Sequence, residues 1–286
     1  MSSNNQNIVA FMGVPGANAD LACRQAYPYM ETLACPSFDD VFDAVEQGKA
    51  RLGIIPIENS QAGRVAEIHN ILPRTNLHIV GEVFQRIEHY LVAAKGATLD
   101  TVKTVYSHPQ ALMQCRESLK KLGLKGEAYS NTATAAKDVG AWKDPAKAAI
   151  ASSLAAELYG LEILKKNIED ADNNTTVFVT ISREAHDPEP SKGAVLTTLL
   201  FAIRNIPAAL YKALGGFATN GVNLQKIESY IPGGNSQSAQ FFITFEGHPS
   251  EKPVQLALEE LGFFCKTVRV IGVYHAAKER KLSKHS

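Results

Sequence analysis

Several short stretches of this chain put amides, hydroxyls and a histidine where an α/β protein ends its strands and begins its helices. Glu58-Asn59-Ser60 follows the apolar run 52–57, so a carboxylate, an amide and a hydroxyl stand together at a strand end, a composition suited to a ligand and poorly suited to a core. Asn173-Asn174-Thr175-Thr176 leads into the β-branched and aromatic run 176–181. Ser107-His108-Pro109-Gln110 opens a helical pattern, with Ser107 as expected cap and Pro109 in the first turn. Such a helix start can hold a carboxylate, and a lone histidine there is a cap or a base. Ser130, Asn131 and Thr132 form another polar lead into a helix. In the turn Gly13-Val14-Pro15-Gly16-Ala17-Asn18, the glycines allow a ligand close to the backbone and the following helix offers free amide donors to an anion.

The elements that must position these groups follow from periodicity. Strands are expected at 8–11, 52–57, 77–84, 102–106, 148–151 and 176–181, with a further extended segment at 88–94. Helices are expected at 20–27, 37–47 with Ser37 as its cap, 66–72, 111–122, 135–140 and 152–159. The proline-bearing stretch 183–192 has no periodicity and reads as a linker. Beyond it come a strand at 196–203, a helix at 207–219, strands at 224–231 and 238–246 about a Pro232-Gly233-Gly234-Asn235 turn, a helix at 254–261 and a strand at 268–274. That order, βαββαβ, is ferredoxin-like. The polar ends, 1–7 and 278–286, are expected to be disordered.

Composition narrows the function classes. The chain has 286 residues, 45% hydrophobic and 20% charged, enough for two or three cooperating units. Lys plus Arg and Asp plus Glu both number 29, so no net field favours nucleic acid or an anionic membrane surface. No apolar run approaches the roughly 18 residues of a membrane span and the first residues lack a leader pattern, so a cytoplasmic protein is expected. The 4 cysteines are scattered without Cys-x-x-Cys, and the 8 histidines form no His-Glu-x-x-His, which gives a metal or a disulfide framework little support. A glycine-rich phosphate fingerprint is absent too.

Taken in order, Pro15-Gly16-Ala17-Asn18, Pro56-Ile57-Glu58-Asn59-Ser60, Ser107-His108-Pro109-Gln110-Ala111-Leu112 with Gln114 and Cys115, Asn174-x-Thr176-x-Phe178, and Gly221-Val222-Asn223-Leu224 ahead of Glu228-Ser229 resemble the prephenate dehydratases that carry a C-terminal ACT regulatory domain. The resemblance covers nearly the whole chain. It implies an α/β protein with a two-lobed catalytic domain at 8–182, similar to a type II periplasmic binding protein. A linker at 183–194 and a βαββαβ ACT domain at 195–276 would follow.

The implied reaction is loss of water and carbon dioxide from prephenate to give phenylpyruvate for phenylalanine synthesis, without cofactor. The resemblance assigns the proton-donor role to Thr176, with Glu58, Asn59, Ser60, His108 and Phe178 beside it. Gly16, Ala17, Asn18, Ser107, Gln110, Ser130, Asn131, Thr132, Asn174 and Thr175 would hold the substrate. L-Phenylalanine would act as effector through Ala208, Ala209, Leu210, Asn223, Leu224, Glu228 and Ser229 in a homodimer or homotetramer.

The chain departs from the family pattern at four places. Val177 stands where relatives carry arginine, which removes a cation from a site built for a dianion if that arginine meets substrate and matters little if it is strand scaffolding. Arg64 and Arg116 are candidates to replace it. Ala19 replaces a serine. In the regulatory motifs, Ala208 replaces glycine and Tyr230 replaces arginine. Two other readings stay open: a non-catalytic binding protein on the same scaffold, and a dehydratase for arogenate.

Overall fold

The computed structural model describes residues 7–230 and 239–282. The first lobe contains β1 (Ile8–Met12), α1 (Asn18–Ala26), β2 (Glu31–Cys35), α2 (Phe38–Glu46), β3 (Leu52–Asn59), β4 (Gly63–Arg64), α3 (Ala66–Ile71) and β5 (His78–Arg86). The second holds β6 (Tyr90–Ala93), β7 (Thr104–Ser107), α4 (Pro109–Gln114), α5 (Arg116–Lys121), β8 (Lys125–Ala128), α6 (Thr132–Trp142), β9 (Lys147–Ala151), α7 (Ser153–Leu158) and β10 (Glu162–Lys165). The chain then returns to the first lobe as β11 (Thr175–Ser182). It continues into β12 (Val195–Ile203), α8 (Ala209–Thr219), β13 (Leu224–Tyr230), β14 (Gln240–Glu246), α9 (Lys252–Phe264) and β15 (Cys265–His275).

Two sheets result. The second lobe has the order β10-β6-β9-β7-β8, while the first lobe and the C-terminal elements share one sheet, β13-β14-β12-β15-β5-β11-β3-β1-β2. The chain crosses between lobes twice, near 87–89 and 166–174, and the crossings are tied together. Ile87 donates its amide to Asn174 O at 2.9 Å, and Ile168 donates to His89 O at 2.9 Å. This is the two-lobed α/β architecture of type II periplasmic binding proteins, followed by a ferredoxin-like βαββαβ unit.

Alternation decides the faces of the shared sheet. Ile55, Ile57, Val179 and Ile181 point to a core that also contains Leu200, Tyr230, Phe242 and Tyr274 of the C-terminal unit. Ile54 and Phe178 point the other way, to a core with Val9, Phe11 and Cys23 under α1. The two units are therefore joined by buried apolar area, where each fully buried large side chain contributes about 1.5–3 kcal/mol. Polar contacts sit around it. Arg269 donates to Leu72 O and Thr75 O at 2.9 and 3.1 Å, holding the end of α3. Gly272 sits where β15 meets β5, and a methyl group there would lie 2.5 Å from Ile79 O, so the approach demands glycine.

Several expectations change. The helix expected over 111–122 is two pieces broken at Cys115, whose ψ of 16° leaves the helical range. The short strands β2, β8 and β10 were not expected; β8 and β10 are sheet-edge strands with mostly exposed residues and little apolar alternation. The tail is folded rather than disordered as far as 282: Arg280 pairs with Glu82 at 2.6 Å, and Leu282 packs against the shared core. The 1–7 tail apart from Asn7, the 232–235 turn and residues 283–286 lie outside the described residues. Among the described residues, no helix is long and apolar enough to cross a membrane.

His69 of α3 lies in this interface, 2% exposed and edge-on to Phe242. Its Nδ1 must carry the proton, because it bonds to Val65 O at 3.1 Å, which leaves Nε2 buried without a partner. Burial pushes its pKa below the ordinary imidazole value, outweighing attraction to Glu228. Above the unfolded pKa of about 6.5, His69 is neutral in both states and its burial is uncompromised. As the pH falls through that value only the unfolded chain takes up the proton, so stability is lost. We expect His69→Leu to gain stability relative to the parent between pH 7 and pH 5 in urea unfolding; a constant difference across that range would contradict a neutral buried His69.

Candidate active site

A cavity of about 320 Å³ opens between the lobes. Its centre of organisation is Asn59, the last residue of β3. The Asn59 Oδ1 accepts the backbone amides of Gln61 and Ala62 at 3.0 and 2.8 Å, which fixes the orientation of the side-chain amide. Nδ2 then donates to Asn174 Oδ1 at 2.7 Å and to Thr176 Oγ1 at 2.9 Å. With its oxygen already accepting a hydrogen bond, Thr176 has its own proton free to donate, and all three of these residues line the cavity.

A bulge sets this geometry. β3 and β11 run antiparallel with Asn59 opposite Thr176 and Glu58 opposite Val177, and the register shifts between Val177 and Phe178. Adjacent strand residues face opposite sides, so Glu58 and Asn59 cannot both reach the cavity. Asn59 does, and Glu58 instead meets Lys226 of β13 at 2.6 Å. Val177 packs against the shared core on Glu58's face, away from the cavity. The cation a relative would carry there is thus not missing from the cavity wall.

The second lobe supplies the opposite wall. His108, rather than Ser107, caps α4: its Nδ1 accepts the Gln110 amide at 3.2 Å, which leaves Nε2 to carry the proton in the neutral ring. Asn131 caps α6 by accepting the Thr134 amide at 2.7 Å, and Asn131 and Thr132 line the cavity at that helix N-terminus. Gln110 and Asn18 line it as well. Of the expected residues, the cavity therefore brings together Asn18, Asn59, His108, Gln110, Asn131, Thr132, Asn174 and Thr176.

Others stand elsewhere, for stated reasons. Ser107 is fully buried and donates to Ile150 O at 2.7 Å. Ser60 donates to Asn173 O at 2.7 Å and accepts the Thr175 amide, so it ties the two polar strand ends to each other. Phe178 shares Thr176's side of β11 but lies deeper, 3% exposed in the α1 core. Ala19 packs against that same core. Thr175, Ser130 and Ala17 do not line the cavity. Arg116 is exposed and does not line it either.

The glycine turn also differs from its expected role. The Gly16 amide donates to Asp20 Oδ2 at 2.9 Å, so the buried Asp20 carboxylate of α1 already takes the donor that an anion would use. Gly16 adopts φ +86°, and a methyl group on it would lie 2.8 Å from Ala155 Cα of the other lobe. Ser152 and Tyr159 donate to Gly16 O and Pro15 O at 2.6 and 2.7 Å. The turn is a contact between lobes.

Sequence reasoning missed His89. It is 3% exposed on the first crossing, lines the cavity, and its Nε2 lies 2.8 Å from Gln114 Oε1. An isolated histidine beside a strand gave no signal beyond its polarity in an apolar stretch. Arg64 of β4 is the cavity's sole lysine or arginine among the described lining residues, and no aspartate or glutamate accompanies it. An anion therefore meets amides, hydroxyls and two imidazoles with no aspartate or glutamate among the described lining residues, while the Arg64 guanidinium itself is held by Glu228. No group of three or more His, Cys, Asp and Glu side chains among the described residues is arranged to hold a metal ion.

In the C-terminal unit, Ala208 adopts φ +56° immediately before α8, a left-handed conformation that glycine would adopt more readily. Ala209, the first residue of α8, is buried. Asn223 donates to Glu246 Oε1 at 2.8 Å, and the next residue, Leu224, packs against the core of this unit. Leu210 packs there too. The Glu228 carboxylate and the Ser229 backbone carbonyl both meet Arg64 of the first lobe.

A family model described as "Prephenate dehydratase" matches residues 9–186. A Komagataeibacter europaeus protein named as a bifunctional N-acyl-homoserine lactone acylase/prephenate dehydratase is 47% identical over 97% of this chain and 99% of its own. An Arabidopsis thaliana chloroplastic arogenate dehydratase/prephenate dehydratase is 38% identical over 96% of this chain and 74% of its own. Among solved structures, a quorum-quenching acylase called GqqA superposes with TM-score 0.91 at 47% identity, over 96% of this chain and 100% of that one. A prephenate dehydratase from Arthrobacter aurescens, in complex with L-Phe, does so with TM-score 0.86 at 29% identity, over 96% and 92%.

Since Gly16 mediates contact between the lobes, Gly16→Ala is expected to hold them apart. Strain and overlap should destabilise the fold by about 1–3 kcal/mol. Small-angle scattering of the folded variant should show a larger radius of gyration, whereas an unchanged radius would refute a role in lobe contact.

Proposed function

Because the chain belongs to the prephenate dehydratase family, we propose that it converts prephenate to phenylpyruvate, as a lyase of phenylalanine biosynthesis. The catalytic chemistry is assigned to residues 8–182 and phenylalanine control to 195–276. In the reaction the electron pair of the bond to the departing carboxylate enters the ring as the ring C–O bond breaks. Carbon dioxide leaves, and the hydroxyl leaves as water once it has gained a proton. Aromatisation drives the step, so the protein's task is to orient the dianion and protonate the leaving oxygen.

The observation that carries this reading is the Asn59–Thr176 hydrogen bond at the cavity wall. It aims the threonine's only proton away from Asn59 and makes the hydroxyl a better donor, since accepting a hydrogen bond polarises the O–H. Thr176 is the donor to the leaving hydroxyl and is reprotonated from solvent. Asn18, His108, Gln110, Asn131 and Thr132 orient the carboxylates, helped by the N-terminus of α6. The absence of aspartate and glutamate from the described lining favours the keto acid over arogenate, whose ammonium would find no counter-ion there.

The acylase activity named for the Komagataeibacter europaeus protein and for GqqA is not proposed for this chain. Among the described residues the four cysteines are buried with thiol pKa values pushed up by burial, that of Cys265 to about 11. Ser60 and Ser107 are spent on backbone carbonyls, so neither is poised as a nucleophile beside a base.

The test is phenylpyruvate formation from prephenate. Thr176→Ala is expected to lower kcat by about 10²-fold or more, the usual scale for a lost general acid, while Thr176→Ser retains most activity. Equal rates for Thr176→Ala and the parent would remove Thr176 from the mechanism. A folded parent that binds prephenate without turning it over would make the chain a binding protein instead.

For the regulatory unit, we expect millimolar L-phenylalanine to slow turnover and to favour a larger species, dimer or tetramer, in sedimentation. The effector would be held near Ala208, Ala209, Leu210, Asn223 and Leu224, with Ser229 at its margin. Rates and sedimentation indifferent to phenylalanine would exclude this control.

A further inference from the structure

We propose that Arg64 is the residue that recognises a substrate carboxylate, and that Glu228 of the C-terminal unit competes with substrate for it. The proposal rests on the reading that the cavity takes prephenate. Arg64 sits on β4 directly opposite Glu58 in the ladder, so its side chain starts on Glu58's face, and the residue is among those that border the cavity. Its Nη1 is 3.3 Å from Glu228 Oε2 and 3.0 Å from Ser229 O. Arg64 thus borders the cavity as a residue, while its guanidinium is held on the β13 side, on the face it shares with Glu58.

The surrounding charges make that guanidinium transferable. Lys226 Nζ stands between two carboxylates, 2.6 Å from Glu58 and 3.3 Å from Glu228. The row Arg64, Glu228, Lys226, Glu58 alternates in sign. If Arg64 turns to a ligand carboxylate, Glu228 keeps Lys226 as its counter-ion and no carboxylate is stranded. The Arg64 side chain is 46% exposed, so it can swing without unpacking a core. A dianion in the cavity offers a planar carboxylate that a guanidinium can grip in a two-pronged pair, a stronger partner than the single contact to Glu228. Anything that shifts β13 relative to β4 would change how tightly Glu228 holds Arg64, which gives the C-terminal unit a direct hold on substrate affinity.

Steady-state kinetics of the full-length chain with prephenate test both halves. Arg64→Gln should raise KM by about tenfold or more with kcat within about threefold, and Arg64→Lys should recover part of the loss. Glu228→Gln should lower KM by about two- to fivefold, and this gain should vanish in the double variant. Circular dichroism melting checks that each variant is folded; should Arg64→Gln fail to fold, Arg64→Lys and Glu228→Gln carry the test. A KM unchanged in the folded arginine variants, or a Glu228→Gln effect that persists without Arg64, overturns the proposal. If the parent shows no turnover, the dehydratase reading fails, and the same variants are compared by calorimetric titration with prephenate. There, equal affinity of parent and Arg64→Gln, or no binding by either, overturns the proposal as well.

Discussion

The cavity depends on one side-chain amide. Asn59 joins two chain segments more than a hundred residues apart, and it does so with both ends of its carboxamide: the oxygen holds the turn at Gln61 and Ala62, and the nitrogen holds Asn174 and Thr176. An aspartate there would turn a donor into an acceptor facing two oxygens, and a leucine would leave two amides and a buried carboxamide without partners. The fork in turn requires β3 and β11 to be antiparallel in one register, and a one-residue slip would point Thr176 into the core. Apolar packing on both faces of the shared sheet fixes that register.

Much of this was legible in the sequence. The apolar runs at 52–57 and 176–181 marked the central strands, and the polar residues at their ends marked the cavity, because buried strands must end somewhere and an amide or hydroxyl at that point has no place in a core. The assignment of individual side chains was less legible, and the reason is geometric. Glu58, Asn59 and Ser60 looked like a loop in which all three reach a ligand. β3 continues through Asn59, so alternation and a bulge send Glu58 to the opposite face, and neither a strand's last residue nor a bulge is written in local composition. Likewise Phe178 follows Thr176 at the right parity yet is buried, since parity gives the face and not the depth.

The C-terminal unit shows a different limit. Its βαββαβ order could be read from periodicity, but its attachment to the first lobe could not, because a surface that packs against another unit looks in sequence like any half-apolar strand. The C-terminal tail is the clearest case. Lys278 to Leu282 has the composition of a free end, yet Arg280 closes on Glu82, a carboxylate 1% exposed, and stacks over Phe84 at 5.1 Å. A buried carboxylate needs a cation, and a partner 198 residues away is invisible to any window along the chain.

The same requirement accounts for Val177. Its cross-strand neighbours are Glu58 and Phe84, so a cation at this position would have stood beside the carboxylate of Glu58 rather than in the cavity. Here Lys226 arrives from β13 to serve that carboxylate, and Arg280 arrives from the tail to cover Phe84. Both cations come from the C-terminal unit. A valine at 177 therefore does not empty the site of charge; the cations of this face come from the C-terminal unit rather than from β11 of the first lobe. The lobe's carboxylates then depend on the docking of that unit, which ties the two units together by electrostatics as well as by apolar burial.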